Sequence, residues 1–164
     1  MNLVFDQESS NMETENKLGK LSFLIGSWSG DGESFGQTAA VEHRFKYILQ
    51  NKFIQSRTRS VSRNSDGEIT EIHEDMGIYS YDSDRDVVVL REFYTEGYVN
   101  TYLMEETETG FIFTTERTES AGGLMARLSF TVLSGDVFEE TLELAGPGKE
   151  FSHCLRNVMK RVID

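Results

Sequence analysis

The sequence predicts a mainly β protein, an antiparallel meander of about ten strands closed into a barrel and preceded by one short helix. Three observations carry this prediction. Turn signals built on Gly, Asn, Asp and Ser recur at short intervals from Gly26 onwards. The runs between them are rich in Val, Ile, Phe, Tyr and Thr, the residues that fit a pleated, half-buried surface. Only one stretch, near the start, has a helical period.

Residues 1–16 are rich in Asn, Glu, Gln and Ser, with too little apolar surface to offset the entropy of ordering them. A flexible tail is expected there, followed by a single domain over 17–164. Leu18, Leu21, Leu24 and Ile25 share one face of a short helix that Gly26 ends, placed to lid or plug the sheet beyond it. Turns are then expected at Gly36-Gln37, Leu49-Gln50-Asn51, Asn64-Ser65-Asp66-Gly67, Asp82-Ser83-Asp84-Arg85, Thr95-Glu96-Gly97, Glu108-Thr109-Gly110, Ala121-Gly122-Gly123, Ser134-Gly135-Asp136 and Ala145-Gly146-Pro147-Gly148. Connections this short force consecutive strands to pair antiparallel, because a parallel pair needs a crossover of about a dozen residues or more. An open meander of this size would expose two edges. Closing it removes both and leaves an interior wide enough for a cavity. The faces Val41, His43, Phe45, Tyr47 and Tyr98, Asn100, Tyr102, Met104 mix aromatic with polar residues. That blend suits a cavity wall, or a core with a few satisfied polar groups; one sequence does not say which face points inward.

Composition narrows the partners. Sixteen Lys and Arg against 28 Asp and Glu leave a formal net charge of −12, which repels a phosphate backbone, so nucleic acid is not expected. Arg57, Arg59 and Arg63 share one strand face and read as a solvated edge. The start, Met1-Asn2-Leu3-Val4-Phe5-Asp6-Gln7-Glu8, lacks the basic and apolar regions of a signal peptide, and no long apolar run occurs, so no membrane partner is expected. The single cysteine, Cys154, cannot form an intrachain disulfide, and a cytoplasmic location is expected. The partner expected is a small hydrophobic molecule; a second copy of the chain is left open.

The sharpest motif is Gly26-Ser27-Trp28-Ser29-Gly30-Asp31-Gly32, which sets the only Trp among glycines at the helix-to-strand junction. Glycine at alternate positions strips side chains from one strand face, allowing a neighbour to approach closely. With Leu21-Ser22-Phe23-Leu24-Ile25 before it, this G-x-W-x-G-x-G stretch resembles the start of the nitrobindin-like proteins, relatives of lipocalins and fatty-acid-binding proteins. The similarity of order runs on from about Leu18, through Gly77-Ile78-Tyr79-Ser80-Tyr81-Asp82, to a closing strand ending Met159-Lys160-Arg161-Val162. The middle and closing segments also resemble an uncharacterised bacterial family of the same superfamily, which implies no function. The resemblance implies a lipocalin-like barrel in which a basic residue near the C-terminus, here Arg161, stacks on the first-strand Trp28, a contact worth roughly 0.5–2 kcal/mol. An exposed terminal arginine is the alternative. The nitrobindin resemblance further implies haem b held by a histidine on the last strand, which points to His153 as axial ligand to the iron. On a regular strand His153 shares a face with Phe151, Leu155, Asn157, Met159 and Arg161. A histidine satisfied in the barrel wall is the plainer reading.

Two arginines stand at otherwise apolar strand positions, Arg91 beside Phe93, and Arg117 in register with Phe111, Phe113 and Thr115. Facing inward, they would hold an anionic head group, as fatty-acid-binding relatives do, with Tyr79, Tyr98 or Tyr102 sharing the role. Facing outward, they would pair with surface carboxylates such as Glu92, Glu106 or Glu116. His73 and Asp75 share a strand face, but a metal needs three or four converging ligands, and no further partner is evident from the chain. No nucleophile elbow, phosphate loop or dinucleotide fingerprint occurs. Binding of a small hydrophobic or amphipathic ligand in the barrel is the leading expectation, with Tyr79, Arg91, Phe93, Tyr102, Arg117 and His153 as candidate ligand contacts. The alternatives are haem chemistry on nitric oxide or related oxidants, an isomerisation run by a carboxylate or tyrosine, or an interaction protein whose barrel is only a scaffold.

Overall fold

The computed structural model describes residues 17–163; the expected tail over 1–16 lies outside the described residues. Ten strands succeed one another: β1 (Gly26–Ser34), β2 (Gln37–Ile48), β3 (Phe53–Arg63), β4 (Ile69–Asp82), β5 (Val87–Tyr94), β6 (Val99–Glu106), β7 (Gly110–Glu119), β8 (Met125–Ser134), β9 (Val137–Ala145) and β10 (Ser152–Arg161). Each pairs antiparallel with the next, and β1 pairs with β10 from Trp28 opposite Arg161 to Ser34 opposite Leu155, so the sheet is a closed barrel without an edge. The short connections lie at the Gly- and Asn/Asp-rich turns read from the sequence. No described helix is long and apolar enough to cross a membrane.

The helical period at the start resolves into one turn over residues 17–19 and a 3-10 turn, Ser22–Leu24. Leu18, Leu21 and Leu24 are fully buried and plug one end of the barrel against Trp28, Phe138 and Phe113. The indole packs edge-on to Phe138 at 4.8 Å and donates from Nε1 to the Leu24 carbonyl at 2.7 Å. The Arg161 guanidinium lies 4.2 Å over the indole ring. It donates to the carbonyls of Phe23 (2.7 Å) and Ile25 (2.8 Å), which no longer have strand partners, and to Asp136 at 2.9 Å. The plug, first strand and last strand are thereby tied at one point.

Glycine is required where β1 meets β10. A Cβ on Gly30 would sit 2.2 Å from the Val158 carbonyl oxygen and 2.7 Å from Met159 Sδ. One on Gly32 would sit 2.0 Å from the Arg156 carbonyl oxygen and 2.3 Å from Asn157 Oδ1. The bare inner face of β1 thus makes room for the Met159 and Asn157 side chains inside the barrel.

Among the described residues the sheet has four register shifts, and two of them decide which of the expected site side chains enter. Between β6 and β7 the register steps from Thr101 opposite Arg117 to Tyr102 opposite Thr115, leaving Glu116 as the extra residue. Between β10 and β9 it steps from His153 opposite Glu143 to Leu155 opposite Leu142, leaving Cys154 extra. Each insertion reverses the in-out alternation beyond it.

Candidate functional site

The plugged half of the barrel is a dry aromatic core in which Phe113, Phe130 and Phe138 pack edge to face. The opposite half is not filled. An inner chamber of about 90 Å³ lies above Tyr79 and Phe45, walled by Val41, Leu128, Phe130 and Leu142. An outer chamber of about 130 Å³ adjoins it through Tyr94, Tyr102, Leu142 and Leu155, with Phe35, Leu124 and Tyr98 near the mouth. A larger depression of about 440 Å³ on the outer wall includes Glu42, Arg44, Arg57, Arg59 and Glu74. It is open to water, so the enclosed chambers are where a ligand would be desolvated.

Two polar networks face the chambers. In the first, His43 on β2 bonds Thr58 through Nδ1 and Glu140 through Nε2, both at 3.0 Å, and Asn157 on β10 donates to Glu140 at 3.1 Å. Asp75 on β4 accepts from Thr58. Thr58 has one hydroxyl proton; when it goes to Asp75, His43 must donate from both nitrogens and is an imidazolium. Burial pulls the His43 pKa down, but the charge and hydrogen bond of Glu140, with the charge of Asp75, prevail and raise it. Burial pushes Glu140 up, yet His43 and Asn157 hold it below the ordinary glutamate value. Asp75 is raised, because burial outweighs the Thr58 bond and the nearby imidazoles.

In the second network Glu92 on β5 accepts from the Tyr94 hydroxyl, which meets Tyr102 at 2.7 Å, and Asn100 donates to Tyr102 at 3.0 Å. Burial, then the charge of Asp75, pushes Glu92 up to about 8, past the opposing hydrogen bonds of the tyrosines. Glu92 is therefore mostly a neutral acid at neutral pH. At the mouth, Glu71, His73 and Glu96 bring ligand atoms within 4.8 Å of one another and could hold a cation; His73 is already engaged by Glu96 at 2.9 Å.

Of the ligand contacts expected from sequence, Tyr79 and Tyr102 are buried and both line the inner chamber. The other four point away from it. Arg91 and Phe93 alternate with the buried Leu90 and Glu92 and sit on the outer surface. Arg117 is turned outward by the β7 bulge, and both arginines approach Glu119, at 3.8 and 3.6 Å. Among the described residues no Arg or Lys lines either chamber, so an inward arginine clamp for a carboxylate is corrected to surface pairing. Glu92, read from sequence as a surface partner, is itself inside.

His153 is corrected in the same way: the β10 bulge puts it on the exposed outer face, opposite Glu143. The interior histidine, His43, has both nitrogens engaged, and the chambers are small beside a porphyrin. These residues do not fit haem held inside the barrel by His153. Sequence reasoning missed Glu92, Glu140, Asn157 and Tyr94. Only the shared face of His73 and Asp75, and the position of His43 between Val41 and Phe45, were available as signals.

Fold and site together define a closed ten-stranded antiparallel β-barrel with an interior cavity. No protein-family model and no curated protein matches the sequence. Among solved structures, the chain is similar to Rv2717c from M. tuberculosis, with 18% identity, TM-score 0.66 and coverage of 90% of this chain and 98% of that one. It is also similar to the S-type phycobiliprotein lyase CPES from Guillardia theta, with 12% identity, TM-score 0.61 and coverage of 94% and 97%.

Proposed function

We propose that this protein binds a small amphipathic molecule in the two adjoining chambers. The observation that carries the reading is an unfilled barrel half whose apolar walls enclose converging polar groups, Glu92, Tyr94, Tyr102 and His43. A dry cavity of about 150 Å³ accommodates benzene. The chambers, about 90 and about 130 Å³, are each smaller than that but together exceed it, so a ring or short chain bearing one polar head would span both. The likeness to a phycobiliprotein lyase, which by its name handles a chromophore-bearing protein, is in keeping with such a barrel. A cytoplasmic setting, with Cys154 a free thiol, belongs to the same reading.

The test is calorimetric titration of the purified chain with a neutral one-ring compound, toluene. Saturable binding that Tyr102→Trp abolishes is expected, because the larger ring fills the junction of the chambers. Binding unaffected by that change, or none at all, would overturn the proposal. Glu92, a neutral acid against apolar walls, also favours a second reading, proton transfer on the bound molecule. Deuterium exchange into a bound carbonyl compound, lost in Glu92→Gln, would establish it.

A further inference from the structure

We propose that the chambers select a small protonated amine, an apolar ring or short chain carrying an ammonium head, over a carboxylate or a neutral alcohol of the same shape. This rests on the reading of the barrel as a ligand-binding module and names the ligand class.

The hydrogen-bonding inventory is one-sided. Among the described residues, three buried side-chain atoms lack a partner: Asp75 Oδ1, Asn100 Oδ1 and Asn157 Oδ1. All three are acceptors: Asp75 and Asn157 line the inner chamber and Asn100 the outer one, with Asn157 Oδ1 close against Gly32. A buried acceptor without a donor is costly, and an ammonium head, with three donors and no acceptor, is what Asp75 Oδ1 lacks. A carboxylate would bring more acceptors.

Charge points the same way. Asp75, Glu92 and Glu140 face the inner chamber, Glu71 and Glu96 stand at the mouth, and among the described residues no Lys or Arg lines the cavity. His43 bonds Glu140, and His73 bonds Glu96 through Nδ1 while its Nε2 lies 3.7 Å from Asp75 Oδ2; both imidazoles favour ionised Asp75, yet burial still outweighs them and Oδ1 keeps no partner. A cation beside those two carboxyls would recover the ionisation that burial opposes. The net charge of −12 draws cations toward the mouth over longer distances.

Calorimetric titration of the full chain with 2-phenylethylamine, 2-phenylethanol and phenylacetate separates the heads on one ring. The amine is expected to bind at least about tenfold more tightly than the alcohol, with phenylacetate weaker than both. Asp75→Asn is expected to cut the ratio of amine to alcohol affinity to about twofold or less, with an unchanged Trp28 emission maximum showing that the variant is folded; a ratio that stays near about tenfold in a folded variant overturns the proposal. Equal affinity for amine and alcohol in the wild-type chain, or preference for phenylacetate, overturns the proposal while the ligand-binding reading stands. If the series is silent but toluene binds, the amine proposal alone falls; silence of all four compounds removes both.

Discussion

Replacing Glu92 by Gln keeps the side chain's shape and an oxygen for Tyr94 while deleting one proton-binding group from the interior. In the folded protein that group titrates near about 8, against an ordinary 4.5. Between those values the folded state holds a proton that the unfolded state has released. Linkage then requires stability to fall as pH rises, and to level off above the folded pKa. At about 1.36 kcal/mol per pH unit, the gap corresponds to about 5 kcal/mol across the whole window. That is a large share of an ordinary domain's 5–15 kcal/mol. Urea unfolding followed through Trp28 fluorescence, from about pH 5 to about pH 8, reads the effect as the difference between wild type and Glu92→Gln. The variant is expected to gain on the wild type steadily with pH, by about 3–4 kcal/mol across that interval. Asp75 would add to the gain, since losing a neighbouring charge eases its own ionisation. A difference that stays flat with pH would show that Glu92 is not held as a neutral acid.

The plug and the relay make their own predictions. Trp28→Ala empties a buried indole site and is expected to cost about 3–5 kcal/mol in the melting transition, whereas an unchanged melting temperature would deny its part in the seal. His43→Gln breaks the buried pair with Glu140 and is expected to cost about 3–5 kcal/mol. The raised His43 pKa gives stability that is complete below the ordinary 6.5 and lost as pH rises through the folded value. The lowered Glu140 pKa gives stability that is present above the ordinary 4.5 and lost as pH falls through the folded value. The wild-type advantage over His43→Gln should therefore peak between those two ordinary values, and a flat advantage across pH would refute the pairing. His153→Ala should change stability by less than about 0.5 kcal/mol, and haem titration of the wild type should give no Soret band that depends on His153.

The barrel was legible because its determinants are local. Turn residues mark the connections, and short connections force a meander. The candidate site was less legible because it depends on parity. In β5 the run Val88-Val89-Leu90-Arg91-Glu92-Phe93 puts one charged residue among apolar ones on either face, so alternation alone does not say whether Arg91 or Glu92 enters. In β7 and β10 the faces do alternate, and the reading follows them as far as Arg117 and His153. The single extra residues at Glu116 and Cys154 then turn both side chains outward. A bulge of this kind is selected by pairing across strands, and neither bulged segment contains a Gly or Pro to mark it. Tyr79 and Tyr102 do face inward, a choice of face that the sequence leaves open and the closed barrel settles.

The glycine motif at the start of β1 reaches the candidate site through geometry rather than contact with a ligand. Because Gly30 and Gly32 carry no side chains, β10 can lie close enough for Asn157 to enter the barrel. There Asn157 donates to Glu140, which helps hold that carboxylate ionised in a buried setting. An ionised Glu140 in turn holds His43 as a donor on both nitrogens, which leaves the Thr58 proton for Asp75. Asp75 then presents its free oxygen, Oδ1, unpaired in the chamber wall. A methyl group at Gly32 would displace the first member of this chain, and the loss would be felt at Asp75 on the far side of the barrel. The sequence feature that closes the sheet is thus also the one that sets the charge state of the chamber.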